Sequence, residues 1–168
     1  MRMSPRIRVR RAGEKDIGAL ADLYLENHTF QRRGFPDRLD ITSEAWNASG
    51  LANAIRELLS RQNVAIFVAE ADEEVVGFVD VVLRQETETE GRVTRNYGEV
   101  QNLVVVEGGR RRGFGTALMD GAEVWARDQG ACEIELHAWE FADGPLGFYE
   151  RRGYTTIQRT LIRRLDQC

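Results

Sequence analysis

The densest chemistry in the chain lies in Leu103-Val104-Val105-Val106-Glu107-Gly108-Gly109-Arg110-Arg111-Arg112-Gly113-Phe114-Gly115-Thr116. An apolar run enters a glycine-rich turn, three consecutive arginines follow, and helical periodicity begins as the turn ends. The first N–H groups of a helix lack intrahelical partners and carry partial positive charge, so this order of elements suits a phosphate. Gly113 and Gly115 remove side chains where a pyrophosphate would approach the backbone, and the arginines add charge and bidentate donors. A Walker A loop is excluded, because no Gly-Lys-Ser/Thr follows. The dinucleotide pattern fails too, with Leu118 in its third glycine slot. The bland alternative is a solvated basic turn. The strand before, the helix after and the arginine triplet favour a phosphate cradle.

A second segment, Leu146-Gly147-Phe148-Tyr149-Glu150-Arg151-Arg152-Gly153-Tyr154, places two aromatics on a short helix just before a glycine. Phe148 and Tyr149 suit either a packed helix face or a site at which the phenol acts as a proton donor.

The sequence resembles the GCN5-related N-acetyltransferase (GNAT) family. Arg110-Arg111-Arg112-Gly113-Phe114-Gly115 satisfies its Gln/Arg-x-x-Gly-x-Gly/Ala signature, and Leu103-x-Val105 matches its pantetheine-pairing strand. Phe148–Tyr154 resembles its aromatic-Tyr-Glu-x-x-Gly-aromatic pattern. The resemblance implies acetyl-CoA as co-substrate, with its pyrophosphate on the amides of Arg111, Arg112, Gly113, Phe114, Gly115 and Thr116. It also implies that Arg110 flanks this site and that backbone along Leu103, Val104 and Val105 holds the pantetheine. The tyrosine matching Tyr149 turns its hydroxyl to the coenzyme sulfur in that family, where the departing thiolate needs a proton. The family often has asparagine seven residues before that tyrosine; this chain has Ala142.

Transfer to an amine needs a neutral nucleophile, yet most amines are protonated at pH 7. Glu99 lies six residues before Val105, where several family members place a catalytic glutamate. Period-two alternation puts Glu99, Gln101, Leu103 and Val105 on one face, toward the acyl group. A salt-bridged strand glutamate is the alternative. His137, Asp80, His28 with the Phe30–Arg38 stretch, and the acidic stretch Glu86–Glu90 are candidates for acceptor specificity. A structural histidine, a paired carboxylate and a solvated charge run are their ordinary counterparts.

The elements that must position these groups follow from periodicity. Ile7–Arg11, Val64–Ala71, Val75–Leu83, Tyr97–Val106, Cys132–Trp139 and Tyr154–Leu165 read as strands. A helix opens after Gly13, Asn27–Asp40 reads as a loop, and Ser43–Gln62, Gly113–Gln129 and Gly144–Arg152 read as helices. Gln85–Arg95 reads as a polar connection. The predicted fold is mixed α/β, with a mainly antiparallel central sheet flanked by helices, a GNAT-like acyl-CoA N-acyltransferase fold over a single domain, 1–168.

Composition narrows the class. With 168 residues and 42% hydrophobic content the chain can bury an ordinary core. A net charge of −4 argues against a nucleic-acid partner. Lys15 is the only lysine, so lysine chemistry elsewhere is excluded. Cys132 and Cys168 form no disulfide framework, and with His28 and His137 they match no zinc-ligand spacing, so no metal is expected. No apolar run approaches a signal peptide or a membrane span, so no membrane partner and a cytoplasmic location are expected. The expected activity is transfer of an acetyl group from acetyl-CoA to a primary amine by direct attack in a ternary complex, with a small-molecule acceptor. A protein or peptide amine, and a non-catalytic acyl-CoA sensor, are the alternatives; a homodimer is left open.

Overall fold

The computed structural model describes residues 7–39, 47–88 and 91–164. Contacts divide the chain into two compact units, Met1–His137 and Ala138–Cys168. The first holds β1 (Arg8–Arg11), α1 (Ile17–Gly34), α2 (Ala48–Ser60), β2 (Val64–Ala71), β3 (Glu74–Glu86), β4 (Arg95–Val105), α3 (Phe114–Asp128) and β5 (Glu133–Leu136). The second holds α4 (Leu146–Arg151). Five strands form one sheet in the order β1-β2-β3-β4-β5; every neighbouring pair is antiparallel except β4 and β5. The mixed, mainly antiparallel α/β architecture is the one the sequence predicts.

Each face of the sheet has its own helices. Leu20 of α1 and Ile55 of α2 are buried in one cluster with Val64, Ile66, Val68, Phe78, Val82 and Val104. On the other face Leu118, Met119, Ala122 and Ala126 of α3 are buried. Gly98 shows how closely that layer approaches: a Cβ there would lie 2.7 Å from Ile134 Cδ1 and 2.9 Å from the Ala126 Cβ. Asp72 and Glu73, with φ of 50° and 69°, make the two-residue turn between β2 and β3, the left-handed pair that matches the twist of a hairpin.

Two expectations are corrected. Asn27–Asp40 is not a loop throughout: α1 continues to Gly34, and Asp40 lies outside the described residues. No glycine or proline interrupts 27–33, and extending a formed helix fixes only one further residue per hydrogen bond. Pro36 then ends it, since the residue before a proline is driven out of helical geometry; Phe35 has φ −138° and ψ 68°. The second correction is at the C-terminal end. The described part of Tyr154–Leu165, through Arg164, carries no strand, because strand propensity needs a ladder to become a strand. Leu165, Cys168 and the Ser43–Trp46 start of the expected second helix fall outside the described residues.

The start of α1 is tied to the sheet by Arg10. Its guanidinium donates to both Asp16 carboxylate oxygens at 2.8 Å and to Glu70 Oε1 at 2.6 Å. Gly13 N–H donates to Asp16 Oδ2 at 2.8 Å. Arg10 holds the Asp16 carboxyl below its ordinary 3.8. A depressed carboxyl contributes stability above its unfolded-state pKa, and that contribution is lost as pH falls through the folded value. The urea midpoint is therefore expected to decline on acidification below pH 3.8, and Asp16→Asn should flatten that decline while lowering the midpoint at neutral pH.

Candidate functional site

The site is organised by an irregularity in β4. Register pairs Asp80 with Asn102 and then Val81 with Val100, so Gln101 is an extra residue opposite β3. A bulge of this kind re-aims the residues beyond it. Phe78, Asp80 and Val82 face α1 and α2, so their partners Val104, Asn102 and Glu99 face the same way. Leu103 and Val105 pair with Val79 and Gly77 on the α3 face. The alternation that would put Glu99 and Gln101 with Leu103 and Val105 is thus broken. Glu99 shares its face with Asn102 and Val104 instead.

A buried carboxylate fixes the bulge. Asp80, 2% exposed, accepts the Asn102 backbone N–H at 2.6 Å and the Asn102 side-chain amide at 3.1 Å. The backbone N–H takes Oδ1, while the Tyr24 hydroxyl donates at 2.7 Å to Oδ2, the oxygen that also accepts the Asn102 side-chain amide; Asn27 Nδ2 donates to Asn102 Oδ1 at 3.2 Å. Burial raises the Asp80 carboxyl and the Tyr24 phenol above their ordinary values. Of the two readings of Asp80, the structure supports the paired carboxylate. Its partners Tyr24 and Asn102 were not singled out by sequence, although the polar doublet Gln101-Asn102 in an alternating strand marks the spot.

Beyond the bulge, β4 offers an open edge. Parallel pairing with β5 covers only Tyr97 to Val100. Val106 N–H donates to Val76 at 2.9 Å, so by antiparallel alternation the backbone groups of Leu103 and Val105 point away from β3. Along 101–105 no strand covers that side among the described residues. Such an edge can hold an extended, amide-bearing chain.

The strand then enters the arginine turn. Gly113, at φ 89°, precedes the first residue of α3, and Arg111 is itself left-handed at φ 59°. Left-handed residues of this kind build anion-binding concavities, here followed by the N-terminus of a helix of 15 residues. Arg110 donates from Nε to the Val105 carbonyl at 3.3 Å and lies 4.8 Å from the Phe30 ring centre. Arg112 donates to the Gly108 carbonyl at 3.4 Å, and Arg111 is exposed. Loop and edge together fit a ligand with an anionic head and an amide-bearing arm.

Glu99 sits at the lower end of the same strand. Its Oε2 accepts Arg84 Nε at 2.6 Å and Gln101 Nε2 at 3.5 Å, and its Oε1 is 3.9 Å from His137 Nε2. The ring of His137 is solvent-exposed. The register puts Glu86, Tyr97, Glu133 and Glu135 on the Glu99 face, where Arg95 binds Glu86, Glu133 and Glu135 and stacks on Tyr97. His28 and Phe30 are in α1, and Thr89 and Glu90 of the acidic stretch lie outside the described residues. Among the described residues no three His, Cys, Asp or Glu side chains are grouped to hold a metal ion, and no helix is long and apolar enough to cross a membrane.

In the second unit Tyr149 is buried in α4, with ring centres 5.2 Å from Phe148 and 5.7 Å from Tyr154. Burial pushes its phenol up to about 12. The hydroxyl therefore stays protonated at neutral pH.

The model of the acetyltransferase (GNAT) family matches residues 17–154, and the chain belongs to that family. Solved structures share its fold. A mutant of the BH1408 protein from Bacillus halodurans superposes with a TM-score of 0.84 at 19% identity, covering 94% of this chain and 99% of that one. A predicted acetyltransferase from Clostridium acetobutylicum, solved with acetyl-CoA, gives 0.73 at 16% identity over 94% and 96%. Aminoglycoside N-acetyltransferase AAC(6')-Iy, solved with CoA, gives 0.67 at 16% identity over 100% and 99%.

Two substitutions test this geometry in urea unfolding. Tyr24→Phe leaves buried Asp80 short of a donor and is expected to cost about 1–3 kcal/mol. Gly113→Ala forces a Cβ into a left-handed position and is expected to cost roughly 1–2 kcal/mol.

Proposed function

We propose that residues 1–168 work as one cytoplasmic, metal-independent N-acetyltransferase domain that moves the acetyl group of acetyl-CoA to a primary amine by direct attack in a ternary complex. The observation that carries this reading is the continuity of the open β4 edge, Leu103 and Val105, with a left-handed arginine turn on the N-terminus of α3. Pantetheine amides match the first and a pyrophosphate the second. Amides from Arg111 to Thr116 would hold the phosphates, with Arg110 and Arg112 adding charge, and backbone of Leu103 to Val105 would orient the thioester.

Glu99 is the proposed base. A carboxylate held at 2.6 Å by Arg84, with Gln101 and His137 beside it, can take the ammonium proton directly or through water. Tyr149 is the proposed acid, since a departing thiolate needs a proton or a hydrogen bond and a phenol can supply either.

A small cationic amine is the favoured acceptor. Glu86, Glu99, Glu133 and Glu135 outnumber Arg84 and Arg95 on one sheet face, which attracts positive charge. The neighbour named as an aminoglycoside N-acetyltransferase acts on amines of that chemical kind.

Free-CoA release from a panel of amines tests the proposal. Tyr149→Phe is expected to lower turnover about 100-fold, the lower range for a lost proton donor. Glu99→Gln should lower it most at acidic pH, where more of the amine is protonated. Unchanged turnover of Tyr149→Phe across the pH range would reject the acid. Full turnover of Glu99→Gln at low pH would remove that residue as the base.

A further inference from the structure

We infer that Phe30 governs how tightly the acyl donor binds, by parking Arg110 across the β4 edge with which the donor must pair. The inference rests on the acyl-CoA reading and assigns a positioning residue at that same site. One side chain makes two contacts here. Arg110 donates from Nε to the Val105 carbonyl at 3.3 Å, and its guanidinium carbon lies 4.8 Å from the centre of the Phe30 ring. Arg112 is engaged locally: it donates to the Gly108 carbonyl at 3.4 Å and lies 5.7 Å from the Phe114 ring centre. Of the two, Arg110 is the one that reaches out of the turn to another helix.

The helix α1 presents that ring to the edge. Tyr24, Asn27 and Phe30 recur every three residues and so follow one flank of the helix. Their contacts advance along the sheet in the same order. Tyr24 donates to Asp80, which pairs with Asn102; Asn27 donates to Asn102 itself; Phe30 meets the arginine bound at Val105. Phe30 is half-buried and Arg110 is exposed. The ring is the fixed partner of the pair and the arginine the movable one.

A competition follows. A pantetheine amide pairing with the Val105 carbonyl needs the side of that carbonyl which Arg110 holds. Pairing therefore breaks the arginine's hydrogen bond and lifts it from the ring, and the guanidinium becomes available to the pyrophosphate in the turn. A cation over an exposed aromatic ring shifts an equilibrium by a factor of about two to five. Weakening that hold tightens donor binding, a direction that mere damage to the site does not produce.

Binding to the full chain tests this, with acetyl-CoA followed by calorimetry and S-acetylpantetheine, which lacks the phosphates, by ligand-observed NMR. Phe30→Leu is expected to tighten acetyl-CoA about twofold to fivefold, and Phe30→Tyr to keep the wild-type affinity, since its ring still faces the cation. Arg110→Ala should tighten S-acetylpantetheine, because the carbonyl is uncovered, and weaken acetyl-CoA, because a phosphate donor is lost. Adding Phe30→Leu to Arg110→Ala should change neither affinity further. Should Phe30→Leu fail to fold, Phe30→Trp decides: a ring that holds cations more strongly should weaken acetyl-CoA binding. Unchanged or weaker acetyl-CoA binding in Phe30→Leu overturns the inference, as does unchanged or tighter binding in Phe30→Trp. So does a gain from Phe30→Leu that persists when residue 110 is already alanine, which marks an effect of the ring alone. A wild-type chain that does not bind acetyl-CoA fails differently: it rejects the acyl-CoA reading, and this inference with it.

Discussion

The hydrogen bond from the Asn102 backbone N–H to the buried carboxylate of Asp80, at 2.6 Å, is the constraint from which the site follows. An extra residue in β4 leaves a backbone donor without its ladder partner, and a buried donor without an acceptor is costly. Asp80 supplies the acceptor from the facing strand. Tyr24 of α1 and the Asn102 side chain then satisfy the carboxylate itself. One polar network thus ties α1, β3 and β4 together where the strand changes phase. Below it Glu99 faces α1 and α2; above it Leu103 and Val105 turn to the α3 face, with their backbone groups at an open edge.

Electrostatics divide along the same strand. The chain is net negative at −4, which by itself points away from anionic partners. The three arginines of the turn reverse this locally, while the sheet face carrying Glu99 collects carboxylates around Arg84 and Arg95. A strand of 11 residues therefore runs from an acidic surface to a cationic turn. Under the proposed function, that gradient would draw a cationic amine to one end of the strand and an anionic acyl donor to the other.

Local signals in the sequence located the parts well. β2 is observed over the predicted Val64–Ala71, because an apolar run between Asn63 and Asp72 leaves little freedom at either end. The phosphate turn is legible for a similar reason: glycine at 113 answers a left-handed backbone within a few residues. Features that depend on distant partners were not legible. The face of Glu99 is set by a hydrogen bond between residues 22 apart, which no alternation count includes. Asn27–Gly34 was misread because helix extension and tertiary contacts, such as Asn27 to Asn102, outweigh weak propensity. Tyr154–Arg164 has the composition of a strand, but composition does not supply the neighbour a strand needs.

The bulge at Gln101 also makes β4 two strands for the purposes of variation. Residues before it and residues after it obey opposite parities, so the odd-numbered side chains that line the acidic face in one half lie on the α3 face in the other. Substitutions along 95–99 can reshape what meets the acidic face while the edge at 103–105 keeps its register. An insertion or deletion at the bulge would exchange the faces of one half wholesale. Variation by replacement is tolerated independently in the two halves; variation in length is shut out of both.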